Sequence, residues 1–497
     1  MSNTDSDFFP ESDTTSNCSN DSILLVTIIE NEAEVEYSDS DSDSDSDEDS
    51  VLSCATITPD DYAELTITAY VMMDEYTDTN ILSMSSPSFY TKMVTHITEL
   101  LYTDMNSSYT NEYDNDSVDT HMMNELHDFV EQTLEVWKGI THIPPRSIIQ
   151  HESEIVERTF NETNNLKCKI AELIRAQQPS QRTSDWYNAR YQLITASNLW
   201  KVFGSQSQIN SLIYEKCKPL ELTIHEPSNI YTEGPMQWGV KYEPVTIQIY
   251  EKMYDTSVGE FGCITHPKYP YIGASPDGIN IRPGNKLYSR MLEIKNIVNR
   301  EITGIPKEEY WIQTQIQMET CDLDECDFVE TRIKEYETED AFYQDCEHEY
   351  RGIVLHFITR PPTVITVDTK LSNTPSYVYM PLSVPLDKHS VEFWTDEQRK
   401  NMIPENKVLF ARNYWYLDQI SCVLIQRNRE WFATAVPIIQ QVWDTIVKER
   451  VEGYEHRASK KRIPKERAMS ILGEDGTVSI PDKTFCLIRL DENGNVL

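Results

Sequence analysis

The first 60 residues of this 497-residue chain contain no lysine or arginine. That segment holds 17 acidic residues, and the whole chain has a formal net charge of −39. Such an excess argues against a protein that coats nucleic acid or membranes broadly, because both partners are anionic and repel it. It does not exclude a local cationic site, since residues 1–180 carry −30 and residues 181–320 carry only −1.

The sequence also has no apolar run of bilayer length. The longest run, residues 23–29, is interrupted by Thr27, whereas a membrane helix needs about 20 apolar residues. The acidic N-terminus is unlike a signal peptide, which begins with basic residues. The ten cysteines are scattered, with only Cys321 and Cys326 close together. We therefore expect an intracellular protein from a reducing compartment, which is not secreted.

Composition divides the chain into five predicted segments. Residues 38–50 alternate Ser and Asp, and such a tract cannot bury enough apolar surface to offset its ordering entropy. An apolar run at 23–26 with an acidic flank resembles a SUMO-interacting motif, although a solubilising tail is the simpler interpretation. The segments are a disordered acidic Ser/Asp tail over 1–55, a mainly helical region over 56–177, a core over 178–365, a C-terminal extension packed on the core over 366–455, and a basic cluster with a C-terminal tail over 456–497.

Apolar periodicity predicts several elements. Spacings of three to four residues indicate helices over 125–137, 166–176 and 426–452. Alternation over 350–358 indicates a strand. Strand-like runs mixed with helices after residue 181 predict an α/β class for the core, with a central mixed sheet flanked by helices.

The most informative stretch is residues 273–296. A Pro276-Asp277-Gly278 turn is followed by one short apolar run, a Pro-Gly loop at 282–286, and a second run over 287–296, which together predict a β-hairpin. Strand alternation puts Glu293 and Lys295 on one face. Hairpin pairing brings Asp277 back beside Glu293.

Two carboxylates on adjacent strands offer the hard oxygen ligands that Mg²⁺ prefers. A lysine one pleat away, Lys295, can orient a water or neutralise a phosphate oxygen, and this set suits metal-assisted phosphodiester hydrolysis. The alternative is a surface hairpin with an ordinary Glu-Lys pair, because isolated Asp…Glu-x-Lys patterns are common.

The surrounding sequence favours the first interpretation. Glu243 precedes a helix-like stretch over 245–253, and Gln313 and Gln317 stand four residues apart in a predicted helix after Pro306. Upstream, Thr183 or Ser184 can cap a helix that carries Arg190. The Thr-Ala-Ser run at 195–197 begins a further predicted helix, whose free N–H groups suit a phosphate.

Taken together, these motifs resemble the YqaJ-type viral recombinase nucleases. That family is a branch of the PD-(D/E)xK superfamily, which includes the lambda-type exonucleases. The resemblance covers roughly residues 178–340 and is weaker to about 455, and the long N- and C-terminal segments depart from the family. The motifs occur in the family order: Gln181-Arg182-Thr183-x-x-Trp186-x-x-x-Arg190, Thr195-Ala196-Ser197, Gly239-x-x-x-Glu243, Gly273-Ala274-Ser275-Pro276-Asp277-Gly278, Glu293-Ile294-Lys295 and Tyr310-x-x-Gln313-x-Gln315.

The resemblance implies a restriction-endonuclease-like core and assigns roles to these residues. Asp277, Glu293, Lys295 and Gln313 match catalytic positions. The metal ligands would be Glu243, Asp277, Glu293 and the backbone carbonyl of Ile294. Arg190, Thr195 and Ser197 match the region that holds DNA, in particular a 5′-phosphate. Mg²⁺ or Mn²⁺, as one or two ions, is the implied cofactor.

The implied function is a metal-dependent deoxyribonuclease, an exonuclease that serves viral DNA recombination, repair or replication in the host cytoplasm or nucleus. DNA duplex ends are the implied substrate, a single-strand annealing protein is a candidate partner, and some relatives form trimers. Two alternatives remain open at this point: a structure-selective endonuclease or resolvase of the same superfamily, and a binding scaffold without cleavage.

Two further groups have alternative interpretations. Cys263 with His266, and Cys321 with Cys326, could be zinc or iron–sulfur ligands, but their spacing fits no common metal pattern and we expect free thiols. The basic cluster at 457–467 is either a phosphate contact, a nuclear-import signal, or a solvated helix end.

The concentration of acid near the N-terminus leads to a first prediction. Deletion of residues 1–50 should leave cleavage intact and strengthen non-specific DNA binding, because it removes the densest negative charge. Binding of duplex DNA would be measured across a salt series for the full chain and the deletion. A full-length control in which the aspartates of 38–50 are changed to Asn should reproduce part of the gain. Loss of cleavage on deletion would contradict the prediction.

Overall fold

The computed structural model describes residues 59–109, 120–149, 159–176, 178–179, 183–220, 234–359 and 375–459. The chain divides into two compact units, Met1–Thr58 and Pro59–Leu497, and the described residues all belong to the second unit. The predicted acidic tail, the apolar run at 23–26, residues 181–182 of the first motif, and the basic cluster beyond residue 459 lie outside the described residues. None of the described helices is both long and apolar enough to cross a bilayer.

In the part of the chain that the structure describes, ten strands are arranged in two sheets. The large sheet has seven strands in the order β2-β5-β6-β7-β10-β8-β9, and the small one has the order β1-β4-β3. In the large sheet, β6 and β7 are parallel and all the other neighbours are antiparallel. The strands are β1 (Ile194–Thr195), β2 (Val258–Gly259), β3 (Ile264–Thr265), β4 (Ile272–Ala274), β5 (Gly278–Asn280), β6 (Met291–Asn296), β7 (Glu325–Glu335), β8 (Arg351–Thr359), β9 (Ser376–Tyr379) and β10 (Lys407–Gln426).

Twelve α-helices accompany these strands among the described residues. Five of them precede the first strand, and four of these five lie within residues 56–177, so the described part of the N-terminal region is helical as predicted. They are α1 (Pro59–Asn80), α2 (Phe89–Tyr109), α3 (Thr120–Ile140), α4 (Phe160–Arg175), α5 (Ser184–Tyr191), α6 (Ala196–Leu199), α7 (Gln206–Cys217), α8 (Pro235–Met253), α9 (Glu308–Cys321), α10 (Glu339–Gln344), α11 (Lys388–Met402) and α12 (Arg429–Glu452).

Helices α8 and α9 cover opposite faces of the large sheet. Val329 of β7 packs in one apolar cluster with Tyr250 of α8. The preceding residue, Phe328, stacks against Tyr310 of α9 with ring centroids 5.6 Å apart. Successive residues of a strand point to opposite faces, so the two helices lie on opposite sides. The predicted α/β class, a mixed sheet flanked by helices, is confirmed.

The predicted helices and strands are present. For three of them, the residues next to the start explain why the element begins at a different residue than predicted. Helix α4 begins six residues before the predicted start at 166, because Thr159 and Glu162 form a capping box. Strand β6 begins at Met291 rather than 287, because the preceding loop includes Ser289 at a φ of 71°. Helix α12 begins at Arg429 rather than 426, because β10 continues to Gln426 and the Asn428 side chain caps the helix.

The N-terminal helices are attached to α9 through a buried arginine, Arg146. Its guanidinium donates to the carbonyl of Ser85, at 2.9 Å from Nη2, and to the carbonyl of Pro306. Its own carbonyl accepts from the indole Nε1 of Trp311 in α9 at 2.8 Å. Trp311 in turn contacts Trp431 of α12 edge to face, with ring centroids 5.3 Å apart. Burial lowers the pKa of Arg146 to about 10.

These contacts lead to a stability prediction. Arg146→Met should lower the free energy of unfolding by about 3 kcal/mol, because it leaves two buried carbonyl groups without donors. Denaturant unfolding of the whole chain would measure the change. Arg399→Met is the matched control, since Arg399 is an exposed residue of α11 whose ion pair is with Asp396, three residues before it. We expect it to change stability by less than about 0.5 kcal/mol. Equal stability of the two variants would contradict the role given to Arg146.

Candidate active site

The predicted hairpin consists of β5 and β6, and it sets two carboxylates against each other. Gly278 pairs with Leu292, and the same register places Asp277 opposite Glu293. The Asp277 Oδ2 atom accepts a hydrogen bond from the backbone N–H of Ile294 at 2.7 Å. Gly278 is required at this point, because a Cβ atom there would lie 2.1 Å from the side chain of Val258 in the adjacent strand β2.

The Glu293 carboxylate is 1% exposed and accepts hydrogen bonds from three side chains. Its Oε1 atom accepts from the Lys295 ammonium and from Gln313 Nε2, the latter at 2.8 Å. Its Oε2 atom accepts from Gln317 Nε2 at 2.6 Å. A buried carboxylate without donors would be strongly destabilising, so this set of donors is what allows Glu293 to occupy the interior.

Lys295 is held in its charged form by the carboxylates around it. Burial alone would lower its pKa, but the negative charges of Glu293 and Asp277 outweigh burial and raise the pKa above its usual value. The ammonium also lies 5.0 Å from the ring centroid of Tyr310, at the start of α9. Lys295 is therefore a permanent cation beside the two carboxylates.

Asp277 has the opposite environment. Burial and the neighbouring charges of Glu293 and Glu243 raise the pKa of its carboxyl well above the usual value, and Lys295 offsets this only in part. The site therefore holds more negative charge than its single lysine balances. Glu243 contributes to that excess from α8, on the other side of β6.

The donor set of this site fits a hard divalent cation. Carboxylate oxygens of Asp277, Glu293 and Glu243 and the carbonyl oxygen of Ile294 are the ligand types that Mg²⁺ and Mn²⁺ prefer, and a cation would relieve the repulsion that raises the pKa of Asp277. The three carboxylates do not converge to within 4.8 Å of one another. Over the described ranges, only the group of His127, Asp128 and Glu131 on α3 does so, and it is largely exposed.

Gln317 is a further site residue, to which the sequence motifs assign no role. The four-residue spacing puts Gln313 and Gln317 on one helix face, whereas the family resemblance assigns a role to Gln313 alone. Gln317 is fully buried, and besides Glu293 it donates to the carbonyl of Ser275 at 3.4 Å. The second glutamine of the motif, Gln315, faces away and bonds to the carbonyl of Gln426 and the N–H of Asn428. The four-residue spacing was the signal that could have identified Gln317.

The predicted phosphate-binding residues lie on α5 and at the start of α6. Thr183 caps α5 through a bond to the N–H of Trp186, and the Arg190 guanidinium lies 4.4 Å from the Trp186 ring centroid. The hydroxyls of Thr195 and Ser197 are 3.2 Å apart. Although all these residues are described, no hydrogen bond or ion pair joins Arg190 to Thr195 or Ser197.

Arg190 has the thiol of Cys263 as a neighbour. The thiol of Cys263 lies beside both Arg190 and Ser275, and the carbonyl of Ser275 accepts from Gln317. Burial lowers the pKa of the Arg190 guanidinium.

The cysteines considered as metal ligands have other environments. All seven described cysteines are free thiols. Burial raises the pKa of Cys321 to about 12 and that of Cys326 well above its usual value, which disfavours the thiolate form that binds metals. The Nδ1 atom of His266 accepts from the backbone N–H groups of Lys268 and Tyr269.

Comparisons with known proteins agree with the motif analysis. Residues 185–324 match the family model of the YqaJ-like viral recombinase domain, which confirms the resemblance over that segment, and the segment includes every predicted site residue. An uncharacterized protein, R354, of Acanthamoeba polyphaga mimivirus is 26% identical over 331 residues, covering 60% of this chain and 59% of that protein. The chain thus spans about three fifths of the length of this relative.

Two solved exonuclease structures are also similar. An alkaline exonuclease from Laribacter hongkongensis shares 19% identity and a TM-score of 0.31, covering 54% of this chain and 94% of that one. A phage-related exonuclease from Haemophilus somnus 129PT shares 16% identity and a TM-score of 0.26, covering 53% of this chain and 98% of that one.

The raised pKa of the Asp277 carboxyl, beside Glu293 and Glu243, leads to a prediction about ion binding. Asp277→Asn should raise the thermal stability of the protein in the presence of a chelator at pH 8, because burial and the charges of Glu293 and Glu243 disfavour ionisation of the Asp277 carboxyl, whereas the amide stays neutral and keeps an oxygen for the Ile294 N–H. The same variant should lose the stabilisation that Mg²⁺ or Mn²⁺ gives the unaltered protein. Thermal unfolding with chelator and with each ion would measure both effects.

Asp255→Asn is the control, because Asp255 is an exposed residue at a φ of 45° in a nearby turn, where asparagine is tolerated. It should leave the response to ions unchanged. Ion-dependent stabilisation that persists in Asp277→Asn would contradict the ligand assignment.

Proposed function

We propose that this chain is a metal-dependent deoxyribonuclease that hydrolyses DNA phosphodiester bonds, acting as an exonuclease on duplex ends in viral DNA recombination, repair or replication. One observation carries the proposal. Asp277, Glu293 and Lys295 meet at the β5–β6 hairpin, with Gln313 and Gln317 bonded to Glu293, inside the segment that matches a viral recombinase domain.

The residues of the cluster have distinct roles in this proposal. Asp277, Glu293, Glu243 and the carbonyl of Ile294 hold one or two Mg²⁺ or Mn²⁺ ions. When bound, such an ion lowers the pKa of a water and offsets the charge of the scissile phosphate. The Lys295 ammonium orients the attacking water or stabilises the developing charge, and it remains protonated because two carboxylates surround it.

The glutamines and the substrate residues act by positioning. Gln313 and Gln317 fix both oxygens of Glu293, so that the carboxylate cannot rotate away from the reacting phosphate. Arg190, Thr195 and Ser197 bind a terminal 5′-phosphate and set which bond is cut. The annealing protein and the trimer that the family resemblance implies remain predictions.

The test of the proposal removes the two central groups separately. Glu293→Gln and Lys295→Met should each lower cleavage of end-labelled linear duplex by about 1,000-fold or more, because each takes away a charge that acts in the transition state. Thermal unfolding would establish that both variants are folded. Full activity of either folded variant would refute the assignment.

Lys286→Met is the matched control, because Lys286 is an exposed residue of the loop in the same hairpin. It should retain the activity of the unaltered chain. Covalently closed circular duplex is the second substrate, since an exonuclease leaves it intact. Cleavage of circles at the rate of linear duplex would identify the enzyme as an endonuclease instead.

A further inference from the structure

The C-terminal end of α5 is capped by two basic side chains from other helices. The last carbonyl groups of an α-helix have no partner within the helix. The carbonyl of Arg190 accepts from Lys216 Nζ of α7 at 2.9 Å. The carbonyl of Tyr191 accepts from Arg450 Nη2 of α12 at 2.7 Å. Both contacts also place a cation at the negative end of the helix dipole.

Arg450 bonds to two helices at once. Its Nε atom donates to the carbonyl of Lys216 at 2.9 Å, so the same guanidinium joins the end of α5 to the end of α7. The guanidinium carbon lies 4.4 Å from the ring centroid of Tyr191 and 5.3 Å from that of Trp443. These bonds and ring contacts fix the side chain in one position.

The capping residues bring several positive charges together in a chain that is strongly acidic overall. Lys216 is only 6% exposed. Its burial, together with the positive charges of Arg190, Arg450 and Lys201, lowers its pKa to about 8 despite the neighbouring Glu215. The charged form of a buried lysine among other cations is disfavoured, and the bond from Lys216 to the carbonyl of Arg190 offsets part of that cost.

The end of α5 matters because Arg190 belongs to its last turn. Its guanidinium lies near the thiol of Cys263, on the same side of the molecule as Ser275, whose carbonyl accepts from the Gln317 that also bonds to Glu293. A shift of the helix end would therefore move Arg190 relative to Glu293. A displacement of about 1 Å at a substrate-positioning group is enough to reduce a rate strongly.

We propose that Arg450 is a positioning residue for substrate binding. By capping α5 together with Lys216, it holds Arg190 at a fixed place relative to the Asp277–Glu293–Lys295 cluster, so that helix α12 takes part in recognising a terminal phosphate. Arg450 lies outside residues 185–324, the segment that matches the family model. The inference rests on the proposed function, in which Arg190 binds the 5′-phosphate of DNA.

The experiment compares two duplexes that differ only in carrying a 5′-phosphate or a 5′-hydroxyl, with kcat and KM measured for the whole chain. Arg450→Met keeps a long apolar side chain beside Tyr191 and Trp443 and removes the guanidinium donors. It should raise KM for the phosphorylated duplex about tenfold, leave KM for the hydroxyl duplex and kcat within about twofold, and so abolish the preference for phosphate. Arg450→Lys should restore part of the preference, because a lysine can still donate to one carbonyl.

Lys448→Met is the matched control, because Lys448 is exposed on the same helix and pairs only with Glu452. It should leave both KM values unchanged. Should Arg450→Met fail to fold, Lys216→Met provides the same test at the neighbouring carbonyl, with the same expected rise in KM. A fall in kcat of equal size on both duplexes would show a general structural role and overturn the proposal.

Arg190→Gln tests phosphate binding by Arg190 separately from the positioning of Arg190 by Arg450. If Arg190→Gln loses the phosphate preference while folded Arg450→Met keeps it, the positioning role of Arg450 is wrong and the proposed function stands. If Arg190→Gln keeps the preference, or if the unaltered chain has none, the phosphate-binding role of Arg190 is wrong and the inference about Arg450 falls with it.

Discussion

The Glu293 carboxylate can be buried only if hydrogen-bond donors surround it, and the elements around it supply three. One donor, Lys295, comes from the same strand. Strand alternation places it on the same face as Glu293, two residues away. The other two donors, Gln313 and Gln317, belong to α9. This helix connects β6 to β7 in the chain. The parallel pairing of β6 with β7 requires such a crossover, so the connection that completes the sheet also delivers the amide donors.

This requirement fixes the orientation of α9, and the other segments of the chain then cover its remaining surface. Trp311 and Gln315 lie on other faces of the helix, where Trp311 contacts Arg146 and Gln315 bonds to the junction of β10 and α12. The helical N-terminal region and the C-terminal strand and helix are thus joined to the helix that holds Glu293. Their contribution to the site is mechanical, because they limit how far Gln313 and Gln317 can move.

Much of the site could be predicted from sequence because its determinants are local. The hairpin follows from the turn residues at 276–278 and 282–286, and the common face of Gln313 and Gln317 follows from helical spacing. The central position of β10 could not be predicted, because its pairing with β7 and β8 depends on contacts between residues distant in sequence. For the same reason, the hydrogen bonds of Gln315 to Gln426 and Asn428 could not be predicted. The motif gives the spacing of the glutamines along the helix, but it does not say which residues pack against each face of that helix.

The distribution of charge makes the proposed DNA substrate compatible with so acidic a chain. Exposed charges more than about 10 Å apart are largely screened at physiological salt, so the charge near the scissile phosphate matters more than the total of −39. Near the end of α5, Arg190, Lys216, Lys201 and Arg450 outnumber Glu215, whereas at Asp277 negative charge is in excess. A terminal phosphate and a divalent cation are opposite in charge to these two environments. The proposed function accounts for both charge patterns, because it assigns the phosphate of DNA to the first environment and the metal ion to the second.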